Sequence, residues 1–246
     1  MTWVESKIAR RDVWADGLIS LTVELTVAQF TPGQYLNLGL DLAGVRVKRS
    51  YSLASGAAEP SQFYLSLVPG GALTPALFEL AAGDPLWVDD RPLGFFTLQY
   101  VPEARHLWLF ATGTGLGPFV SMLKGKEIWQ RFSRIVLAHG VRQVAQLGYA
   151  DLLSSLAHEH PEQFAYIPAI TREAPPPWAL AGRLPQLIQS GALEARARLP
   201  LVPEGSHVLL CGNPNMLSEV QAVLAERGLV KHRPRKPGHI SVESYW

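Results

Sequence analysis

The sequence predicts a two-domain β plus α/β protein, an antiparallel β-barrel in residues 1–100 followed by a parallel-sheet α/β domain in 101–246. Before residue 100 the chain reads as short strands with alternating apolar residues, separated by Pro and Gly turns. Beyond it, apolar strands alternate with helical patterns. At the division lies Gly113-Thr114-Gly115-Leu116-Gly117-Pro118, entered from an apolar run, His106 to Phe110, and left through a helical segment with Val120, Met122 and Leu123.

In the first half, Leu21, Val23 and Leu25 alternate with Thr22 and Glu24, the pattern of a half-buried strand. Leu36, Leu38 and Leu40 repeat it after the Pro32-Gly33 turn, and Phe63, Leu65 and Leu67 before Pro69-Gly70-Gly71. Further strands are expected at Arg46–Leu53, Leu86–Val88 and Phe95–Leu98, with a short helix at Pro75–Leu80. In the second half, Ile135–Ala138, Phe164–Ile170 and His207–Cys211 read as strands. Leu152, Leu153 and Leu156 mark one helix and Leu184–Ile188 another. Met216, Val220, Val223 and Leu224 fall at i, i+4, i+7 and i+8, one face of an amphipathic helix.

Composition narrows the function classes. The 246 residues are 48% hydrophobic and 17% charged, an ordinary globular balance. A net charge of +1 gives no global field for nucleic acid, and no apolar run approaches a membrane span. The segment Met1–Lys7 lacks a signal-peptide pattern, so a cytoplasmic protein is expected. The single cysteine, Cys211, excludes an internal disulfide and a four-cysteine metal centre. His158 and His160, two residues apart, cannot share a helix face as zinc ligands, so no metal site is expected. Neither a nucleophile elbow nor a G-x-x-x-x-G-K-[ST] phosphate loop occurs. Basic residues crowd Arg227–Lys236: Arg227, Lys231, Arg233, Arg235 and Lys236. A solvated loop and a docking surface for an acidic partner both fit them. No exposed apolar stripe calls for an obligate dimer, and a monomer is expected.

Three places carry candidate chemistry. The glycine loop lets the backbone turn tightly ahead of a helix start, where N–H groups favour an anion. Its Pro118 stands where the dinucleotide fingerprint has a third glycine, so a plain strand-to-helix turn also fits. Arg49-Ser50-Tyr51-Ser52 puts a cation and a ring on one strand face and two hydroxyls on the other. Arg142, Arg172 and Arg183 follow successive predicted strands, a pattern that suits a 2′-phosphate better than the acidic residue of an NAD site.

Taken together, these motifs resemble the ferredoxin–NADP reductase family, bacterial branch, over essentially the whole chain. Arg49-Ser50-Tyr51-Ser52 resembles its R-x-Y-S flavin signature, and Gly71-Ala72-Leu73-Thr74 its flavin-pyrophosphate turn. Gly113–Pro118 resembles its nicotinamide-side loop, Cys211-Gly212-Asn213-Pro214 its C-G-x-x motif, and Glu243-Ser244-Tyr245-Trp246 its aromatic C-terminus. Thr171-Arg172-Glu173 and Gly182-Arg183 are similar to its S-R-E and G-R segments, with Thr171 in place of serine.

The resemblance implies FAD on the first domain and NADP(H) on the second. Arg49 would meet the FAD pyrophosphate, Tyr51 would lie on the isoalloxazine, and Ser52 would reach N5. Ser50, Leu67, Gly71, Leu73, Thr74 and Thr114 would complete the FAD contacts. Tyr245 and Trp246 would cover the flavin and the adenine end of FAD as the tail returns to it. For NADP, the resemblance implies Gly113, Thr114, Gly115, Arg142, Thr171, Arg172, Arg183, Asn213 and Met216. Ser52, Cys211 and Glu243 would be the catalytic set, Cys211 shaping the nicotinamide pocket and Glu243 assisting proton handling. The activity implied is hydride transfer from NADPH to FAD, then single-electron delivery to ferredoxin or flavodoxin docked near Arg233, Arg235 and Lys236. Flavin or haem-protein reductases, an electron-transfer subunit and a non-catalytic flavin sensor are the alternatives.

Overall fold

The computed structural model describes residues 3–25 and 30–244. It divides into two compact units, one running to Leu98 and taking in Gly117–Gly125, the other formed by Gln99–Leu116 and the chain from Lys126 onward.

The first unit contains β1 (Trp3–Ala15), β2 (Leu18–Val23), β3 (Tyr35–Leu42), β4 (Val45–Ser52), β5 (Gln62–Ser66), the short helix α1 (Thr74–Glu79) and β6 (Pro85–Asp89). Its strands run antiparallel in the order β4-β3-β6-β1-β2-β5. A bridge between Leu53 and Phe63 and a 2.8 Å bond from Ala54 N to Gln62 O join the two ends of that order, closing a barrel. Leu36, Leu38, Leu21, Val23, Phe63, Leu65 and Val88 fill the interior, as strand alternation requires.

Three features of this unit lay beyond the sequence reading. Strand β1 pairs with both β2 and β6 and bulges near Ile8 and Val13. It buries only Ser6 and Ile8 and carries five charges between Glu5 and Asp12, which hide its period. Phe95–Leu98, expected as a strand, is not one. Gly94 turns the chain at φ +105°, Phe95 points outward, and Leu98 opens a short 3₁₀ turn. Finally, the helix after the glycine loop, α2 (Gly117–Lys124), belongs with the barrel. Ser121 Oγ donates to Ser55 O at 2.7 Å, Lys124 pairs with Glu59 at 2.6 Å, and Phe96 meets Phe119.

The second unit holds β7 (His106–Thr112), a 3₁₀ turn at Gly113–Leu116, α3 (Glu127–Arg131), β8 (Arg134–Val141), α4 (Ala150–Glu159), β9 (Phe164–Ile170), β10 (Leu180–Ala181), α5 (Leu184–Gln189), α6 (Ala192–Ala197), β11 (Ser206–Gly212), α7 (Pro214–Glu226) and β12 (Ile240–Ser244). All six strands are parallel, in the order β10-β9-β8-β7-β11-β12. From β7 the chain builds outward to β10, then returns to β7's other side as β11. The C-terminal end of β7 is therefore a topological switch point, where open α/β sheets bind ligands. Trp108, Phe110, Val136, Ile167, Leu210 and Val220 are among the side chains that form the core.

Among the described residues no helix is long and apolar enough to cross a membrane. No group of three or more His, Cys, Asp or Glu among them is placed to hold a metal, and His160 stacks on Trp129 with ring centres 4.1 Å apart.

Candidate functional site

On the first unit the site elements are β4 and the turn before α1. Strand β4 pairs with β3 along its whole length, so Arg49 and Tyr51 share one face. The Arg49 guanidinium is exposed, and its one hydrogen bond among the described residues goes to the Lys48 carbonyl. Tyr51 is mostly buried, and its hydroxyl is enclosed without a hydrogen-bond partner among the described residues. Burial pushes its phenol up to about 12, with Arg49 opposing weakly, so it stays protonated. Ser52 is buried at the strand end, opposite Tyr35.

Behind this strand lies a polar chain that the sequence did not reveal. Ser50 Oγ donates to Asn37 Oδ1 at 2.8 Å, and Asn37 Nδ2 donates to the fully buried Asp89 at 3.4 Å. Asn37 and Ser50 are register partners, but 52 positions separate Asn37 from Asp89, so sequence spacing carried no trace of it.

The turn at Gly71–Thr74 is tightly built. Thr74 Oγ1 accepts from Val68 N at 3.0 Å and sits 3.3 Å from Val68 O as donor. The Thr74 hydroxyl thus braces the turn. Leu73 is buried ahead of α1, and a Cβ on Gly71 would press to 3.0 Å on Val68 O. Leu67 is partly exposed, with its N–H on Gly17 O.

On the second unit the glycines divide their work. Gly113 takes φ +53°, and a Cβ there would meet nothing within 4 Å. At Gly115 a Cβ would lie 2.5 Å from Cys211 O. That glycine serves close packing of the turn on β11, not approach to a ligand as the sequence suggested. Gly212 is equally constrained, with Thr112 Oγ1 2.3 Å from a Cβ, and Asn213 N donates to the same Thr112 oxygen at 2.9 Å. His139, unremarked in the sequence, is fully buried with Nε2 3.0 Å from Gly113 O. Burial holds its pKa down to about 4, so the imidazole is neutral.

The three arginines follow three adjacent strands. Arg142 follows β8, Arg172 follows β9, Arg183 follows β10, and Arg172 N donates to Arg142 O at 2.9 Å. All three are exposed, and among the described residues their guanidinium groups make no hydrogen bond or ion pair. Thr171 Oγ1 turns back onto Val141 O at 3.1 Å, fixing the strand end.

Cys211 is buried in β11, in register with Glu243 of β12, so two of the three proposed catalytic residues share a sheet face. Two expectations change. Met216 packs into the core, so its side chain does not lie open as a nucleotide wall, while Asn213 stays exposed with its Oδ1 capping α7 by accepting from Asn215 N and Met216 N. Arg227 leaves the basic run, because its guanidinium binds Glu194 at 2.5 Å and the Ile188 carbonyl. Tyr245 and Trp246 lie outside the described residues.

Residues 109–222 match the oxidoreductase NAD-binding domain. The Escherichia coli flavodoxin/ferredoxin–NADP reductase is 42% identical over 99% of both chains. The Pseudomonas aeruginosa ferredoxin–NADP reductase is 36% identical over 94% of this chain and 92% of that one. A Neisseria gonorrhoeae ferredoxin NADP+ reductase, crystallised with FAD and NADP, superposes with a TM-score of 0.93 at 28% identity, covering 99% of each chain. With full-length identity at this level, the chain belongs to the flavodoxin/ferredoxin–NADP reductase family.

Proposed function

We infer that this protein is a flavoprotein oxidoreductase passing electrons between NADP(H) and a small one-electron carrier, ferredoxin or flavodoxin. The observation that carries the reading is the full-length match to flavodoxin/ferredoxin–NADP reductases. The residues present fit both cofactors. A buried phenol without a partner beside an exposed arginine on β4 offers FAD a ring contact and a pyrophosphate cation. Three arginines after adjacent strands, with no partners among the described residues, offer NADP(H) a 2′-phosphate clamp. FAD supplies an acceptor for the hydride of NADPH and releases its electrons singly.

The protein's own share is binding, orientation and charge. We assign the barrel unit, with α2, to FAD and the parallel-sheet unit to NADP(H). Arg49 neutralises the FAD pyrophosphate, Tyr51 supports the flavin ring, and Ser52, fixed at the end of a paired strand, presents a hydroxyl to N5. Arg142, Arg172 and Arg183 select the 2′-phosphate. Cys211 shapes the nicotinamide pocket, and Glu243, its register neighbour, holds or moves a proton there.

The carrier docks on the turn bearing Arg233, Arg235 and Lys236. Supporting this, the three side chains are exposed, while Arg233 and Lys236 exchange backbone bonds of 2.9 and 3.1 Å that fix the turn. Reversing all three to glutamate is expected to slow reduction of ferredoxin and flavodoxin and to flatten its salt dependence, without changing flavin reduction by NADPH. Unchanged carrier kinetics would move the dock elsewhere. Negligible turnover of the parent protein with ferredoxin and flavodoxin, beside rapid turnover of free flavin, would favour a flavin reductase.

A further inference from the structure

His139 lies in β8, fully buried, in register with Ala111 of β7. Its Nε2 is 3.0 Å from the Gly113 carbonyl, which can only accept, so Nε2 carries the proton and donates. Its Nδ1 is also buried and has no partner among the described residues. A half-satisfied imidazole is a costly way to fill a strand position that leucine would fill.

Peptide geometry gives the histidine a use. No described peptide bond is cis, so the Gly113 C=O and the Thr114 N–H share a trans plane and point in opposite directions. With the carbonyl drawn inward onto His139, the Thr114 N–H faces away from the buried strand. Thr114 is the second residue of the 3₁₀ turn, too early to donate its N–H within it. On Gly113 a Cβ would meet nothing, so the loop is open there. Gly115 and the Thr112–Asn213 bond fix where the turn sits, and the His139 bond adds to the 3₁₀ turn's own hold on the Gly113 carbonyl.

We infer that His139 is a positioning residue for the nucleotide: by holding the Gly113 carbonyl inward it aims the Thr114 amide outward, as a donor to the pyrophosphate of NADP(H). This rests on the NADP(H) reading above and adds to it the residue that orients the glycine loop.

Calorimetric titration of the full-length, FAD-loaded protein with NADP+ and with 2′-phospho-AMP tests it, using wild type, His139→Leu and His139→Gln. His139→Leu is expected to weaken NADP+ about tenfold or more, the worth of one hydrogen bond to a charged group. Binding of 2′-phospho-AMP, which keeps only one 5′-phosphate of the pyrophosphate, should weaken less. His139→Gln, able to place an amide N–H on the same carbonyl, should recover most of the affinity. Equal weakening of both ligands, or of neither, would overturn the inference. Wild type that binds neither ligand would instead sink the NADP(H) reading itself. Should the leucine variant fail to fold, nitrogen-15 spectra of the wild type decide. The Thr114 amide resonance should move further with NADP+ than with 2′-phospho-AMP, and an amide indifferent to NADP+ would overturn the inference.

Discussion

Ser52 is the residue on which the proposed hydride chemistry bears most directly. It is buried, and the β3–β4 ladder fixes its backbone opposite Tyr35. Ser52→Ala should therefore slow flavin reduction by NADPH about 10²-fold, as loss of one oriented donor does, while FAD stays bound. Stopped-flow reduction of the variant at the wild-type rate would remove Ser52 from the catalytic set. Two buried histidines make a different prediction, about acid stability. Burial lowers His139 to about 4 and His207 to about 3, the latter helped by His232, His239 and Arg131. Both are depressed below the unfolded value of 6.5, so below pH 6.5 the unfolded chain binds more protons. Their contribution is complete above pH 6.5 and is lost as pH falls towards 4 and 3. The loss at the acid end is roughly 3 kcal/mol for His139 and roughly 5 kcal/mol for His207. Urea midpoints measured across this range should decline with acidification, and His207→Gln should flatten the decline. An equally steep slope in that variant would assign the acid sensitivity to other groups.

At the scale of elements, the glycine loop shows what one stretch of sequence can and cannot announce. Its three glycines marked a turn between strand and helix, and the turn is there. Their separate tasks depend on β11, a hundred residues away, and could not be read locally. Gly115→Ala would drive a Cβ to 2.5 Å from the Cys211 carbonyl. It should cost about 3 kcal/mol or more, because backbone on both sides must shift. Gly113→Ala meets only open space and the penalty of positive φ, about 1–2 kcal/mol. Thermal melts in which Gly113→Ala is the more harmful would contradict this division. The strands of the parallel sheet were legible because buried runs such as Phe164–Ile170 are continuous and flanked by turns. Strand β1 was not, since charges interrupt its alternation, and Phe95–Leu98 misled because its apolar residues serve a turn and the contact between Phe96 and Phe119. The Arg49–Ser52 segment and the three arginines were legible as side-chain types on predicted elements. The Ser50–Asn37–Asp89 chain and the His139 bond were not, because each joins residues that only the fold brings together.

For the whole molecule, a barrel carrying a flavin motif and a parallel sheet carrying a glycine loop and an arginine row lie in one chain that matches flavodoxin/ferredoxin–NADP reductases end to end. The central claim is that such a chain holds FAD and draws its electrons selectively from NADPH. The most direct test is an anaerobic titration of the purified protein, following visible flavin absorbance with NADPH and separately with NADH. The account predicts a flavin spectrum bleached rapidly by NADPH and slowly by NADH, with Arg172→Ala and Arg183→Ala narrowing the difference. An equal response of the wild type to both nucleotides would contradict the arginine clamp, and a colourless protein that FAD cannot reconstitute would contradict the central claim.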